Sequence, residues 1–176
     1  MTGQISDTII YKGENYDLIG IKGELISPKK FGMSTKVYST GCWRGFYATY
    51  EITEAGLRLR TLTLSEKDNK YQPINNIRPE KGTWGEATYN NLDVNVPFSG
   101  TIRLAKDFIW ELYIHMGYQK PTAFKTVYEI TLEDGRVVKL QDKSKEMEEK
   151  RGAFKKAYET DGRTIADAFS LNMELE

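Results

Sequence analysis

The chain carries one eight-residue pattern twice. Phe46-Tyr-Ala-Thr-Tyr-Glu-Ile-Thr53 and Phe124-Lys-Thr-Val-Tyr-Glu-Ile-Thr131 share Phe, three variable residues, then Tyr-Glu-Ile-Thr. In the first copy Phe46, Ala48, Tyr50 and Ile52 alternate with Tyr47, Thr49, Glu51 and Thr53. A period of two is what a half-buried strand needs, because successive side chains point to opposite faces of a sheet. Each copy then runs into a turn. Glu54-Ala-Gly56 leads back into Leu57–Leu64, and Asp134-Gly135 leads back into Arg136–Leu140. Asp-Gly is a strong two-residue hairpin signal, since a type I′ turn requires positive φ at both central positions. The apolar phase slips between Leu59 and Leu62, which predicts a bulge or an edge there.

A second block supports a repeat. Gly23-x-Leu25-x-x-x-Lys29-x-Phe31 parallels Gly100-x-Ile102-x-x-x-Lys106-x-Phe108. The expectation is therefore an α+β fold, mainly antiparallel β, in two related halves that arise by internal duplication. These would form a sandwich- or barrel-like body with a C-terminal helix packed on the sheet. Superposition should bring Tyr50 onto Tyr128, with both rings facing the core.

The 176 residues are read as a single domain spanning 1–176. The first β-rich half covers 8–68 and the second 98–141. Residues 65–97 are polar and rich in Asn, Lys, Pro and Gly, yet they contain Tyr71, Trp84 and Tyr89. They read as a structured connector that docks on the body. Lys106–Met116 mixes helical spacing with strand-forming residues and is read as a short helix or turn. Residues 142–172 form the C-terminal helical segment. Asp142 or Ser144 caps a helix to about Glu159, whose apolar stripe holds Met147, Phe154, Ala157 and Tyr158. Gly162 ends it, and Thr164-Ile-Ala-Asp167 opens a short final helix.

Charge bounds the partners. The 25 basic residues equal the 25 acidic ones, which argues against nucleic acid, since phosphate affinity needs an excess of Lys and Arg. Cys42 is the sole cysteine, so no intrachain disulfide can form and a reducing compartment fits. Met1–Asp7 lacks a basic region followed by an apolar run, and no apolar stretch nears the ~20 residues that span a bilayer. A cytoplasmic chain with no membrane association is expected.

Candidate sites each have an ordinary alternative. One His and one Cys cannot build the usual Cys/His zinc centre, so no metal is expected. No phosphate-cradling glycine pattern occurs, and no cofactor is expected. A Cys42–His115 dyad needs hydrogen-bond contact and an orienting group. The ordinary alternative is a small buried thiol and a loop histidine. Glu51 and Glu129 occupy matching places in the two copies and could pair as acid and base, but both lie on the polar face of their strands, and solvated or ion-paired surface carboxylates answer the pattern better. Trp43 and Arg44, with Trp84, His115 and Tyr118, are the candidate binding residues, because aromatics and arginine anchor interfaces. No catalytic residue is assigned.

Two functions follow as expectations. The first is a small non-catalytic binding protein acting through a protein–protein interface, of the immunity or antitoxin type. The second is a small-molecule binder or enzyme with a pocket between the two β halves. A filled core with Trp43, Trp84, Trp110 or Tyr118 exposed favours the first. A deep pocket holding Cys42, His115 or both glutamates favours the second.

Overall fold

The computed structural model describes residues 2–161, 169–170 and 175. Two hairpins are built on nearly identical turns. β1 (Thr8–Tyr11) and β2 (Glu14–Lys22) join through Lys12-Gly13, with φ of 49° and 79°. β10 (Phe124–Glu133) and β11 (Arg136–Asp142) join through Asp134-Gly135, with φ of 47° and 77°. The positive φ values match what Asp-Gly predicts. A third hairpin pairs β3 (Phe46–Thr53) with β4 (Gly56–Leu64). Its register shifts between Thr49 and Tyr50, which face Thr61 and Leu59. Arg60 is the extra residue, so the slip in the apolar phase is a bulge. The remaining strands are β5 (Glu80–Lys81), β6 (Ala87–Tyr89), β7 (Val94–Asn95), β8 (Gly100–Phe108), β9 (Tyr118–Gln119) and β12 (Phe169–Ser170).

Ten strands form one mixed sheet, ordered β11-β10-β8-β2-β1-β3-β4-β6-β5, with β7 also on β4. All pairs along it are antiparallel except β1 with β3. The fold is α+β. One face encloses the main core: Ile9, Tyr16, Leu18, Tyr50, Leu57, Leu59, Tyr89, Ile102, Leu104, Ile130 and Leu132 all meet there. The sheet curves enough for the tip of the β10–β11 hairpin to meet β4. Gly135 N–H donates to Phe98 O at 2.7 Å, and a Cβ on Gly135 would lie 2.8 Å from Leu57 N.

The sheet is continuous and does not divide into two half-sheets. Tyr50 is fully buried and donates to Ile26 O at 3.1 Å. Tyr128 turns to the same core but is half-buried beside Tyr16, at 5.8 Å between rings. Their surroundings differ. β3 lies between β1, parallel to it, and β4; β10 lies between β8, antiparallel to it, and β11. Gly100–Phe108 is a nine-residue strand, whereas Gly23–Phe31 is a loop ending in a 3-10 turn at Pro28–Phe31. Pro28 explains that difference, since it has no N–H for a ladder and sits naturally at the first position of a helical turn. The structure does not show the internal duplication.

Residues 65–97 carry β5, β6 and β7 and place Tyr89 in the core. Glu66 holds its start: the carboxylate accepts the Asp68 and Lys70 N–H groups at 2.7 Å each. Trp110–Leu112 is the short 3-10 turn within the ambiguous segment. α1 (Ser144–Asp161) begins as the sequence predicts, with Ser144 N–H donating to Asp142 Oδ1 at 2.9 Å. It packs on the outer face of the sheet. Met147 is buried there with Ala105, Ala123, Phe124 and Val127, and Arg151 donates to Thr122 O and Phe124 O at 2.7 Å. The Phe154, Ala157 and Tyr158 side chains, the stop at Gly162 and the helix from Thr164 to Asp167 lie outside the described residues. No helix among the described residues is long and apolar enough to cross a membrane.

Candidate functional site

The N-terminal segment organises the region where most of the expected binding residues fall. Residues 2–7 thread between the 38–45 loop and the 113–119 segment. Gln4 N–H donates to Gly117 O at 2.8 Å, and Ile5 N–H donates to Gly41 O at 2.7 Å. The Gln4 side chain closes the loop beside it, accepting Trp43 N–H at 3.0 Å and donating to Thr40 O at 2.9 Å. Asp7 is buried behind this segment. It accepts Ala48 N–H at 2.7 Å and forms an ion pair with Arg44.

Arg44 is thus committed internally. Its guanidinium faces Asp7, its Cζ lies 4.5 Å from the centroid of the Phe46 ring, and its Nε is buried without a partner among the described residues. The neighbouring Cys42 is buried, with its thiol on Phe46 O at 3.5 Å. Burial pushes that thiol up, with Arg44 opposing, so it stays protonated and poorly nucleophilic at neutral pH. Tyr118 lies within electrostatic reach of Arg44, Asp7 and Cys42, and burial raises its phenol too. His115 is exposed, edge-on to Tyr113 at 4.6 Å. No hydrogen bond joins Cys42 to His115.

The two glutamates do not form a pair. β8, β2 and β1 lie between their strands. Glu51 is held by Arg60 at 2.6 Å and Glu129 by Arg103, whose Nε lies at 3.1 Å. Each is neutralised by an arginine on the adjacent strand. Trp84 stands apart, in the β5–β6 turn, where its N–H donates to Glu86 Oε2 at 3.0 Å and its ring projects into solvent.

A recess opens on the outer face next to Tyr118. Gln4, Ser6, Asp17, Ile19, Phe108, Trp110, Tyr113, Tyr118, Gln119 and Phe124 line about 230 Å³. Its position follows from strand alternation. Tyr16 and Leu18 of β2 point into the main core, so Asp17 and Ile19 emerge on the other face. Asp17 pairs with Ala105 of β8, which pairs with Val127 of β10, so the three share one row beside the α1 contact. The 3-10 turn after β8 then folds the aromatic residues over this row. Phe108 makes edge contacts with Trp110 at 5.2 Å, Phe124 at 5.1 Å and Tyr113 at 6.2 Å.

Asp17 is the one carboxylate among the described residues that line this recess. Among the described residues its one side-chain hydrogen bond is from Ser6 Oγ at 3.2 Å, and no basic side chain pairs with it. Burial raises its pKa, with the Ser6 hydroxyl opposing. A raised carboxylate pKa means that the folded chain binds the proton more tightly than the unfolded chain. Stability therefore falls as pH rises from the ordinary aspartate value near 4 through the folded value, and stays lower above it. Asp17→Asn removes that penalty. It is expected to make the chain slightly more stable than wild type at pH 7 and no more stable at pH 3, measured by urea denaturation at both pH values.

No protein-family model, curated protein or solved structure matches the chain. The functional reading therefore rests on these residues. Of the expected binding residues, Arg44 and Tyr118 come together around Asp7. Trp43 joins them through Gln4, and His115 flanks Tyr113. The sequence reading passed over Asp17, Phe108 and Tyr113. The density of Phe108, Trp110, Tyr113 and Tyr118 within eleven residues was the available signal, but Asp17 inside β2 looked like any polar residue of an alternating strand.

Proposed function

We propose that this chain is a non-catalytic cytoplasmic binding protein that acts through a protein–protein interface, in the manner of immunity or antitoxin proteins. One observation carries the reading. All three tryptophans are exposed, Trp43 at 48%, Trp84 at 82% and Trp110 at 75%, while the interior is filled by Tyr50, Tyr89 and aliphatic residues. Tryptophan is highly buried on average and is the residue most enriched at binding hot spots. Keeping three in water forgoes roughly 1.5–3 kcal/mol of burial for each large apolar side chain, which an interface would recover. Among the described residues, the inner face of the sheet is packed with core side chains.

The test is affinity capture from the native host with wild type and with the Trp43→Ala/Trp84→Ala/Trp110→Ala chain. Wild type is expected to retain one protein in stoichiometric amount, and the triple variant to lose at least about tenfold of it. Because the three rings contribute little to the core, far-UV circular dichroism of the variant should match wild type. Equal recovery by a folded triple variant overturns the reading.

A further inference from the structure

The recess at Asp17 combines two features that one class of ligand satisfies together. Its lining is aromatic: Phe108, Trp110 and Tyr113 pack on one another at 5.2–6.2 Å between ring centroids, and Tyr118 lines the recess beside them. Its floor holds a half-buried carboxylate with only a long hydrogen bond from Ser6 and no basic partner among the described residues. An aromatic ring carries negative charge on its face and attracts cations, most strongly in tryptophan. A carboxylate in the same recess adds a full negative charge where partial burial weakens solvent screening.

We propose that the recess bounded by Asp17, Phe108, Trp110, Tyr113 and Tyr118 binds the head of an organic ammonium ion. Other ligand classes use only half of it. An anion meets Asp17 as a like charge. A neutral apolar ligand fills the aromatic wall but deepens the burial of an unpaired carboxylate. A hard metal cation needs six or more oxygen ligands for calcium, or strict octahedral geometry for magnesium, and finds one carboxylate. The size agrees. About 230 Å³ holds roughly eight waters at the ~30 Å³ that each occupies in the liquid, enough for a small substituted ammonium head and below the range of drug-sized pockets.

Two cations on neighbouring elements are already paired. Arg44, behind Tyr118, is paired with Asp7. Lys106, on β8, is paired with Glu14 at 2.7 Å and lies 5.3 Å from the ring of Tyr16, which belongs to the opposite face of β2. Trp110 is the most exposed of these walls, at 75%, and an entering ammonium would bring it into contact on one face. This inference does not depend on a protein partner, and its test uses the isolated chain.

The test is a titration with choline, with N-acetyl-lysine amide and with 3,3-dimethylbutan-1-ol, which has choline's shape without its charge. The Trp110 indole N–H resonance reports binding. Choline or the lysine derivative is expected to shift it with a dissociation constant in the millimolar range or tighter, and the neutral alcohol to bind at least about tenfold more weakly. Tighter binding of choline assigns the site to a free ammonium compound; tighter binding of the lysine derivative assigns it to a side chain. Asp17→Asn should weaken either ion by about tenfold, and Trp110→Ala, at a largely exposed position, by about fivefold. The proposal is overturned if the alcohol binds as well as choline, if folded Asp17→Asn binds as wild type does, or if neither ion shifts the resonance at millimolar concentrations.

Discussion

Asp7→Ala is expected to destabilise the chain by about 3–4 kcal/mol, because two buried groups lose their partner at once. Asp7 is only 2% exposed. Its carboxylate receives the Ala48 N–H at the start of the β3 ladder and the Arg44 guanidinium. Without it the Ala48 N–H is left without that acceptor, and Arg44 keeps its charge in a site where its Nε already lacks a partner. Arg44→Met should cost less, about 1–2 kcal/mol, since the Arg44 side chain is a quarter exposed and its removal leaves an aspartate that still accepts Ala48 N–H. The Asp7→Ala/Arg44→Met chain should then be more stable than the sum of the two losses implies, by about 1–3 kcal/mol, as coupled partners are. Urea denaturation of the four proteins measures this. Additive losses, or a loss below about 1 kcal/mol for Asp7→Ala, would show that the pair does not hold the N-terminal segment to β3. The pair turns Arg44 toward Asp7 and ties the 38–45 loop to the N-terminal segment.

That inversion shows what alternation can and cannot disclose. Nothing in the sequence links Cys42-Trp-Arg-Gly to Asp7, which lies 37 residues before Arg44. The link exists because residues 2–7 run between two loops, and such threading has no periodic signature. Local features were legible. Asp134-Gly135, the bulge at Arg60 and the start of α1 all follow from residues a few positions apart. The two Tyr-Glu-Ile-Thr strands were legible as strands, and both tyrosines turn to the core. Their equivalence is not shown, because a strand motif constrains which face is buried and leaves its neighbours free. β3 pairs with the parallel β1 while β10 pairs with the antiparallel β8, and strand propensity is indifferent to that choice. The recess at Asp17 was hidden for the same reason. It needs β2, β8 and the Phe108–Gln119 segment side by side, and those pairings are set only by the assembled sheet.

The closure of that sheet gives a second large effect, at a glycine whose conformation alone understates its role. Gly135 and Gly13 have φ of 77° and 79°, each following a residue near 48° in a two-residue hairpin turn. A Cβ in this left-handed region costs about 1–2 kcal/mol at either position. The surroundings separate them. Nothing lies within 4 Å of the position a Gly13 Cβ would take, whereas one on Gly135 would sit 2.8 Å from Leu57 N and 3.0 Å from Val96 O. Both neighbours are backbone. Leu57 O accepts Val96 N–H at 2.9 Å, so moving either disturbs the attachment of the 92–98 segment to β4. The Gly135 N–H bond to Phe98 O at 2.7 Å and the Asp134 N–H bond to Ser99 Oγ at 2.9 Å would be strained by the same shift. Gly135→Ala is therefore expected to cost about 3–4 kcal/mol and Gly13→Ala about 1–2 kcal/mol, read as the difference in urea midpoints at unchanged slope. Equal losses would mean that the β10–β11 tip is free to move away from β4 and that the sheet is held in its curve elsewhere. A larger loss at Gly135, together with loss of amide-exchange protection at Leu57 and Val96, would place the tip contact among the interactions that close the core.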